Sequence, residues 1–263
     1  MLIAHLSDPH LCKPGTLYQS VLDSNARFAD ALTDVAHLGP DLLLLSGDLA
    51  EHGRPEEYAL ARQLLGRLMV PVLVIPGNHD DREGFRTGLS GLPNLVPLTR
   101  TGPLNAVAEG PVRVVGLDVT VPGDHHGQME QAQADWLDRT LSAAPATPTL
   151  VMMHQPPFDT GIGFVDAYRC FNADRLAQVL ARHPQVIRLL AGHVHRLILT
   201  EFAGLPALTS PSTATSLALR LDPGADPASF TEPPAMLLHL WRDGRLVSHL
   251  QPLGQFPGPH PFF

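Results

Sequence analysis

Residues 70–80 read Val-Pro-Val-Leu-Val-Ile-Pro-Gly-Asn-His-Asp. An aliphatic run breaks at a glycine, and side chains able to bind metal or move protons follow at once, as expected where a buried strand opens into a functional loop. Working outward, the pattern recurs. Strands are expected at 2–7, 41–46, 112–117, 149–153 and 186–191 as well. Five of the six expected strands run into such a cluster: Asp8-Pro9-His10, Gly47-Asp48, Gly77-Asn78-His79-Asp80, His154 and Gly192-His193-Val194-His195. Helical periodicity lies between them at 21–37, 55–68, 130–142 and 174–183, with Pro55 at a first helical position and Asn172 as an N-cap. This alternation predicts the α/β class, with a largely parallel or mixed sheet covered on both faces. Ligands of such sheets bind beyond the carboxyl ends of the strands, so the five clusters should meet at one site.

From residue 204 onward the texture changes. Prolines are frequent, and 236–241 with 245–250 around Asp243-Gly244 reads as a hairpin. The expected organisation is a core over 1–203, strands over 204–254 that complete a second sheet of the same domain, and a proline-rich C-terminal arm over 255–263.

Composition narrows the function. A chain of 263 residues that is 44% hydrophobic can bury one large core. A net charge of −8 and a pI near 5.9 disfavour a nucleic acid duplex as partner and leave room for a small anionic substrate. Two cysteines, Cys12 and Cys170, are too few for a disulfide framework. No basic leader precedes Leu2, and no apolar run approaches the roughly 20 residues of a membrane span, so a cytoplasmic protein without a membrane partner is expected. Fourteen histidines against six methionines and two tryptophans direct attention to a metal site.

Each cluster alone has a plainer explanation. Asp8 could cap a turn, Asn78 and His79 could serve turn chemistry, and His154 could be a core histidine with its hydrogen bonds satisfied. Asp80 and Asp81 could open a helix. Together the clusters would require five coincidences at equivalent strand ends. His5, His37, His52, His183, His239, His249 and His260 have no motif partner and read as ordinary residues. His125-His126 reads as a solvated loop, and Arg54 and Arg196 as surface arginines.

The ordered motifs D-x-H, G-D, G-N-H-[DE], H and G-H-x-H resemble the calcineurin-like metallophosphoesterases, with no substitution at a ligand position from residue 2 to about 200. Ser7-Asp8-Pro9-His10, Gly53-Arg54-Pro55-Glu56-Glu57-Tyr58, His154-Gln155-Pro156-Pro157, the loop 160–166 and Gly192-His193-Val194-His195-Arg196 resemble in particular the bacterial class III cyclic nucleotide phosphodiesterases and related glycerophosphodiesterases. Gln155 departs from the histidine or proline of many members. The resemblance implies a two-sheet αββα sandwich with a small irregular C-terminal extension. It also implies one metal on Asp8, His10, Asp48 and His195, and another on Asp48, Asn78, His154 and His193. Such a donor set suits two divalent ions, Fe, Mn, Zn or Co. The implied reaction is attack by a metal-bound hydroxide on a small phosphodiester, with His79 as an outer-sphere catalytic group and Asp80 orienting an imidazole. Alternatives on the same scaffold are a phosphomonoesterase or protein phosphatase and a non-catalytic interaction module. A homodimer or higher assembly is a further expectation of the resemblance.

Overall fold

The computed structural model describes residues 1–262. Its first half comprises β1 (Leu2–Leu6), α1 (Ser24–Leu38), β2 (Leu42–Leu45), α2 (Pro55–Leu65), β3 (Val72–Val74) and α3 (Arg82–Leu89). The chain continues through β4 (Ala106–Ala108), β5 (Arg113–Leu117), β6 (Gly127–Gln128), α4 (Gln131–Ser142), β7 (Thr149–Met153), the one-turn α5 (Gly163–Asp166), β8 (Cys170–Phe171), α6 (Ala173–Leu180) and β9 (Val186–Ala191). It closes with β10 (Ile198–Phe202), β11 (Leu205–Thr209), β12 (Ser216–Leu217), β13 (Ser229–Phe230), β14 (Ala235–Arg242) and β15 (Arg245–Pro252).

Two sheets face each other. One has the order β15-β14-β1-β2-β3, the other β10-β11-β9-β7-β5-β4. The central strands β2, β3, β5 and β7 are buried on both faces because each sheet is covered on both sides. Ile3, Leu44, Leu73, Ile75, Val114, Met152 and Leu190 pack between the sheets, Phe28, Val35, Tyr58 and Phe85 lie in the core on the helical side of the first, and Leu137, Leu141, Leu176 and Val179 in that of the second. The fold is therefore the four-layered αββα sandwich.

The hairpin around Asp243-Gly244 forms, both turn residues having the positive φ that a tight two-residue connection demands. It does not join the sheet of β9, however. β14 pairs antiparallel with β1, while β10 and β11 extend the other sheet from β9. The 204–254 segment thus contributes to both sheets instead of completing the second alone; both inner faces are apolar with period 2, so alternation could not select a partner. Asn172 sits at the N-cap of α6 in a left-handed conformation and makes no side-chain cap bond, because its backbone serves the turn from β8. The eight-residue α3 is an additional helix beyond those expected from the sequence. Beyond Leu253, which is buried, residues 254–262 are irregular and exposed; the arm's last residue, Phe263, lies outside the described residues. No helix among the described residues is long and apolar enough to cross a membrane.

The parallel strands β1, β2 and β3 of one sheet and β5, β7 and β9 of the other open their carboxyl ends at the same side of the sandwich. How closely the sheets approach is set in part by Gly116 of β5, where an added Cβ would stand 2.8 Å from both Ile75 Cγ2 and Leu73 Cδ2. A β-branched residue ordinarily favours a strand. At this position overpacking should win, and Gly116→Val is expected to destabilise the protein by about 1–3 kcal/mol in urea unfolding; an unchanged or raised midpoint would mean that the inter-sheet layer has slack.

Candidate metal centre

Strand ends deliver the site. Asp8 and His10 follow β1, Asp48 follows β2, Asn78 and His79 follow β3, His154 follows β7, and His193 and His195 follow β9. Asp8, His10, Asp48 and His154 are at most 2% exposed. To turn these side chains inward the backbone leaves its ordinary regions: Asp8, His10, Asp48, His193 and His195 all have φ between 45° and 68°. The left-handed conformation costs a residue bearing a Cβ roughly 1–2 kcal/mol. Five such residues in one cluster mark a place where geometry is held against local preference.

Gly47 combines a φ of 108° with a close approach, since a Cβ there would stand 2.3 Å from His154 Nδ1. At Gly77, whose φ is unremarkable, a Cβ would lie 2.1 Å from Asp48 Oδ1. At both positions glycine leaves room for a functional side chain to pass against the bare Cα.

The hydrogen bonds around the imidazoles define what they can do. His10 Nδ1 meets Glu51 Oε2 at 2.7 Å, His154 Nδ1 donates to the Ser46 carbonyl at 2.7 Å, and His195 Nδ1 donates to the Thr215 carbonyl at 2.9 Å. Carboxylate and carbonyl oxygens only accept, so each ring holds its proton on Nδ1 and, when neutral, presents a bare Nε2. These Nε2 atoms converge. His10 Nε2 lies 3.0 Å from His195 Nε2, His195 Nε2 lies 3.4 Å from Asp8 Oδ1, and His154 Nε2 lies 3.3 Å from Asp48 Oδ2. Lone pairs facing one another and two carboxylates at such distances are an arrangement that cations relieve.

Two groups of donors, Asp8-His10-Asp48-His195 and Asp48-His154-His193, each have ligand atoms within 4.8 Å of one another. Asp48 belongs to both. Asn78 completes the second group, its Oδ1 3.1 Å from His154 Nε2 while its amide nitrogen donates to His125 Nδ1 at 3.1 Å, which fixes which way the amide faces. The donor set fits divalent cations, and all seven side chains named from the sequence are brought together.

The field is strongly negative. Burial works against a charge on His154, yet Asp48 and Asp8 hold its pKa up to about 9. His193, buried beside the charge of His154, is pushed down to about 3. His79 shows the same contest as His154: burial opposes the imidazolium, and Asp48, the carbonyl and carboxylate of Glu51 and then Asp80 outweigh it, so its pKa is raised.

Asp80 departs from expectation. Its carboxylate touches no imidazole; it accepts the backbone N–H groups of Leu49, Ala50 and Gly77 at 2.9–3.0 Å and the Tyr58 hydroxyl at 3.2 Å. It clamps the loop that carries Asp48. The physical reason is that the chain after Asp48 leaves two donors, the Leu49 and Ala50 N–H groups, at this point and the loop after β3 a third, that of Gly77, and a short carboxylate satisfies all three. Asp81 caps α3 through Gly84 N–H at 2.7 Å.

Residues without a sequence signal also line the cleft. Glu51 and the Ser46 and Thr215 carbonyls orient imidazoles, and backbone acceptors are invisible in a sequence. His125, expected in a solvated loop, is exposed but reaches Asn78. Arg196 is spent on the Leu217 carbonyl at 2.7 Å. The cleft above the donors encloses about 320 Å³, with Phe164, Tyr168 and Leu217 on its apolar side.

Residues 1–197 match the family model of the calcineurin-like phosphoesterases. The glycerophosphodiester phosphodiesterase GpdQ of Enterobacter lignolyticus is 34% identical over 264 residues, an alignment covering 98% of this chain and 94% of that protein. The 3',5'-cyclic adenosine monophosphate phosphodiesterase CpdA of Pseudomonas aeruginosa is 31% identical over 250 residues, covering 94% of this chain and 88% of that one. Among solved structures, a dimetal phosphatase from Danio rerio has the same fold, with a TM-score of 0.70 over 96% of each chain at 15% identity. With its motifs at the strand ends of an αββα sandwich and three quarters of its length matched, the chain belongs to the calcineurin-like phosphoesterase family.

Proposed function

We propose that this protein is a metal-dependent phosphodiesterase that hydrolyses small phosphodiesters, either 3',5'-cyclic nucleotides or glycerophosphodiesters. The observation that carries it is the convergence of imidazole Nε2 atoms and the Asp8 and Asp48 carboxylates in an open cleft. Relatives similar over nearly the whole chain support the diester substrate. In this reading Asp8, His10, Asp48 and His195 hold one divalent ion, Asp48, Asn78, His154 and His193 hold a second, and Fe, Mn, Zn or Co would suit the mixed donors. Bound ions of this kind neutralise phosphoryl oxygens and lower the pKa of water.

The chain's own groups supply the rest. His79 donates its Nδ1–H to the Glu51 carbonyl at 2.8 Å, leaving Nε2 as the ring nitrogen open to the cleft, and its backbone N–H donates to Asp48 Oδ1 at 2.9 Å. That open Nε2 suits a group that stabilises phosphoryl charge or protonates the departing alkoxide. Phe164, Tyr168 and Leu217 offer apolar surface to the organic part of the ester. A cleft of about 320 Å³ is at the small end of small-molecule sites and suits a compact diester. The thiols of Cys12 and Cys170 are free and buried, which favours a reducing cytoplasm.

Three measurements test this. Asp48→Ala removes the donor common to both groups, so bound metal and turnover should fall together, turnover by more than about 10²-fold. A variant that kept two metals per chain and ordinary rates would refute the shared role. His79→Ala should lower kcat by about 10²–10³-fold with metal content unchanged, and loss of the metals would make His79 a ligand instead. With Mn loaded, kcat for bis(p-nitrophenyl) phosphate should exceed that for p-nitrophenyl phosphate; a monoester rate about tenfold higher would make the protein a phosphatase, that factor corresponding to 1.4 kcal/mol of barrier.

A further inference from the structure

Beneath the site, between the two sheets, runs a chain of buried polar groups that the reaction does not use. His5 and His239 are both 0% exposed, on adjacent strands β1 and β14, in a layer otherwise built from Ile3, Leu44, Leu190 and Leu237. His5 Nε2 lies 2.8 Å from Ser46 Oγ, and Ser46 Oγ donates to Ser7 Oγ at 2.7 Å. On the far side His239 Nε2 lies 3.5 Å from His5 Nδ1, and His239 Nδ1 lies 2.7 Å from Ser248 Oγ, which also accepts from the Arg188 guanidinium.

Proton counting gives this chain a direction. The hydroxyl hydrogen of Ser46 is used on Ser7, so His5 must donate from Nε2. Burial pushes the pKa of His5 down to about 3 against the opposing charge of Asp8, and that of His239 well below its ordinary value, so both rings are neutral. A neutral ring donating from Nε2 has a bare Nδ1, which His5 offers to the Nε2–H of His239; His239 in turn accepts from Ser248. Every donor therefore points from Arg188 towards the metal centre.

What the chain reaches is the common root of the donors. Ser7 precedes Asp8, and Ser46 precedes Gly47-Asp48 while its carbonyl holds His154 Nδ1. Gly192, which precedes His193, lies against both hydroxyls: a Cβ there would stand 2.1 Å from Ser7 Oγ and 2.9 Å from Ser46 Oγ. Four of the seven donor side chains thus hang from the Ser7–Ser46 pair. An apolar side chain at position 5 would leave Ser46 without its donor in a layer that water does not reach, and the strand ends would lose their fixed point.

We propose that His5, backed by His239, is a positioning residue of the metal centre: by donating to Ser46 it fixes the Ser7–Ser46 pair and with it the spacing of Asp8, Asp48, His154 and His193. The proposal rests on the two-ion reading given above, and the two can fail separately. In the chelator-stripped full chain, titration of the wild type with Mn²⁺ tests the reading itself, since a wild type that bound no metal would overturn it. If the wild type binds, His5→Phe, which keeps the ring volume without the donor, should bind Mn²⁺ about tenfold or more weakly and shift the visible absorption bands of the Co²⁺-loaded protein. His5→Gln, whose amide nitrogen can take the place of Nε2, should restore both. Wild-type affinity and spectrum in His5→Phe, or a His5→Gln as weak as His5→Phe, would overturn the proposal in favour of mere packing. Should His5→Phe fail to fold, His5→Asn carries the same question, because its shorter amide falls short of Ser46: weaker binding than His5→Gln supports the role, and equal binding overturns it.

Discussion

Everything in this molecule is arranged around electron pairs that would rather be apart. His10 and His195 direct Nε2 atoms at each other across 3.0 Å, with Asp8 and Asp48 beside them, and of these four His10, Asp8 and Asp48 are almost wholly withdrawn from water. An isolated cluster of this kind would disperse. It persists because each ring is held from behind by an acceptor on a different part of the chain, Glu51, Ser46 or Thr215, and because Asp80 fastens the loop that bears Asp48 by two backbone bonds and ties it to Gly77 by a third. The two sheets are the frame that brings those acceptors within reach. Cations are the natural partners of such a donor set.

The division of labour around the cleft follows from the fold. Donors come from the ends of central, doubly covered strands, where position is most narrowly defined. The apolar side comes from the one-turn α5 and the short β12–β13 pair, with Phe164 45% exposed and few neighbours constraining it. Metal-type donors and apolar lining thus come from different parts of the fold.

Much of the site was legible in the sequence because each donor directly follows a strand, so that Asp8, Asp48, Asn78, His154 and His193 announce themselves by contiguity with an apolar run. The layering was legible for the same reason. What escaped notice are relations between distant backbone and side-chain atoms. The carbonyls of Ser46 and Thr215 have no letter of their own. His5 and His239 are 234 residues apart and look like ordinary strand histidines until their strands are paired. Asp80 was read as a partner for imidazole because its neighbours are ligand-like, whereas the nearest unsatisfied groups were backbone donors. The hairpin's choice of sheet depended on which apolar edge was open, β1 or β9, and alternation alone cannot distinguish two edges of equal hydrophobicity.

The five left-handed residues at the donors carry a consequence for how this protein can change. Glycine at any of them would relax the main chain, and at Asp8 or Asp48 would also thin out the crowding of negative charge, so a population selected only for resistance to heat has a path that leads away from turnover. Selection that keeps metal in the medium closes that path, because the relaxed variants forfeit the stabilisation that a ligand confers on the folded form. The supply of cations would then act as a guardian of the sequence itself, keeping in place residues that the polypeptide, left alone, has reason to discard.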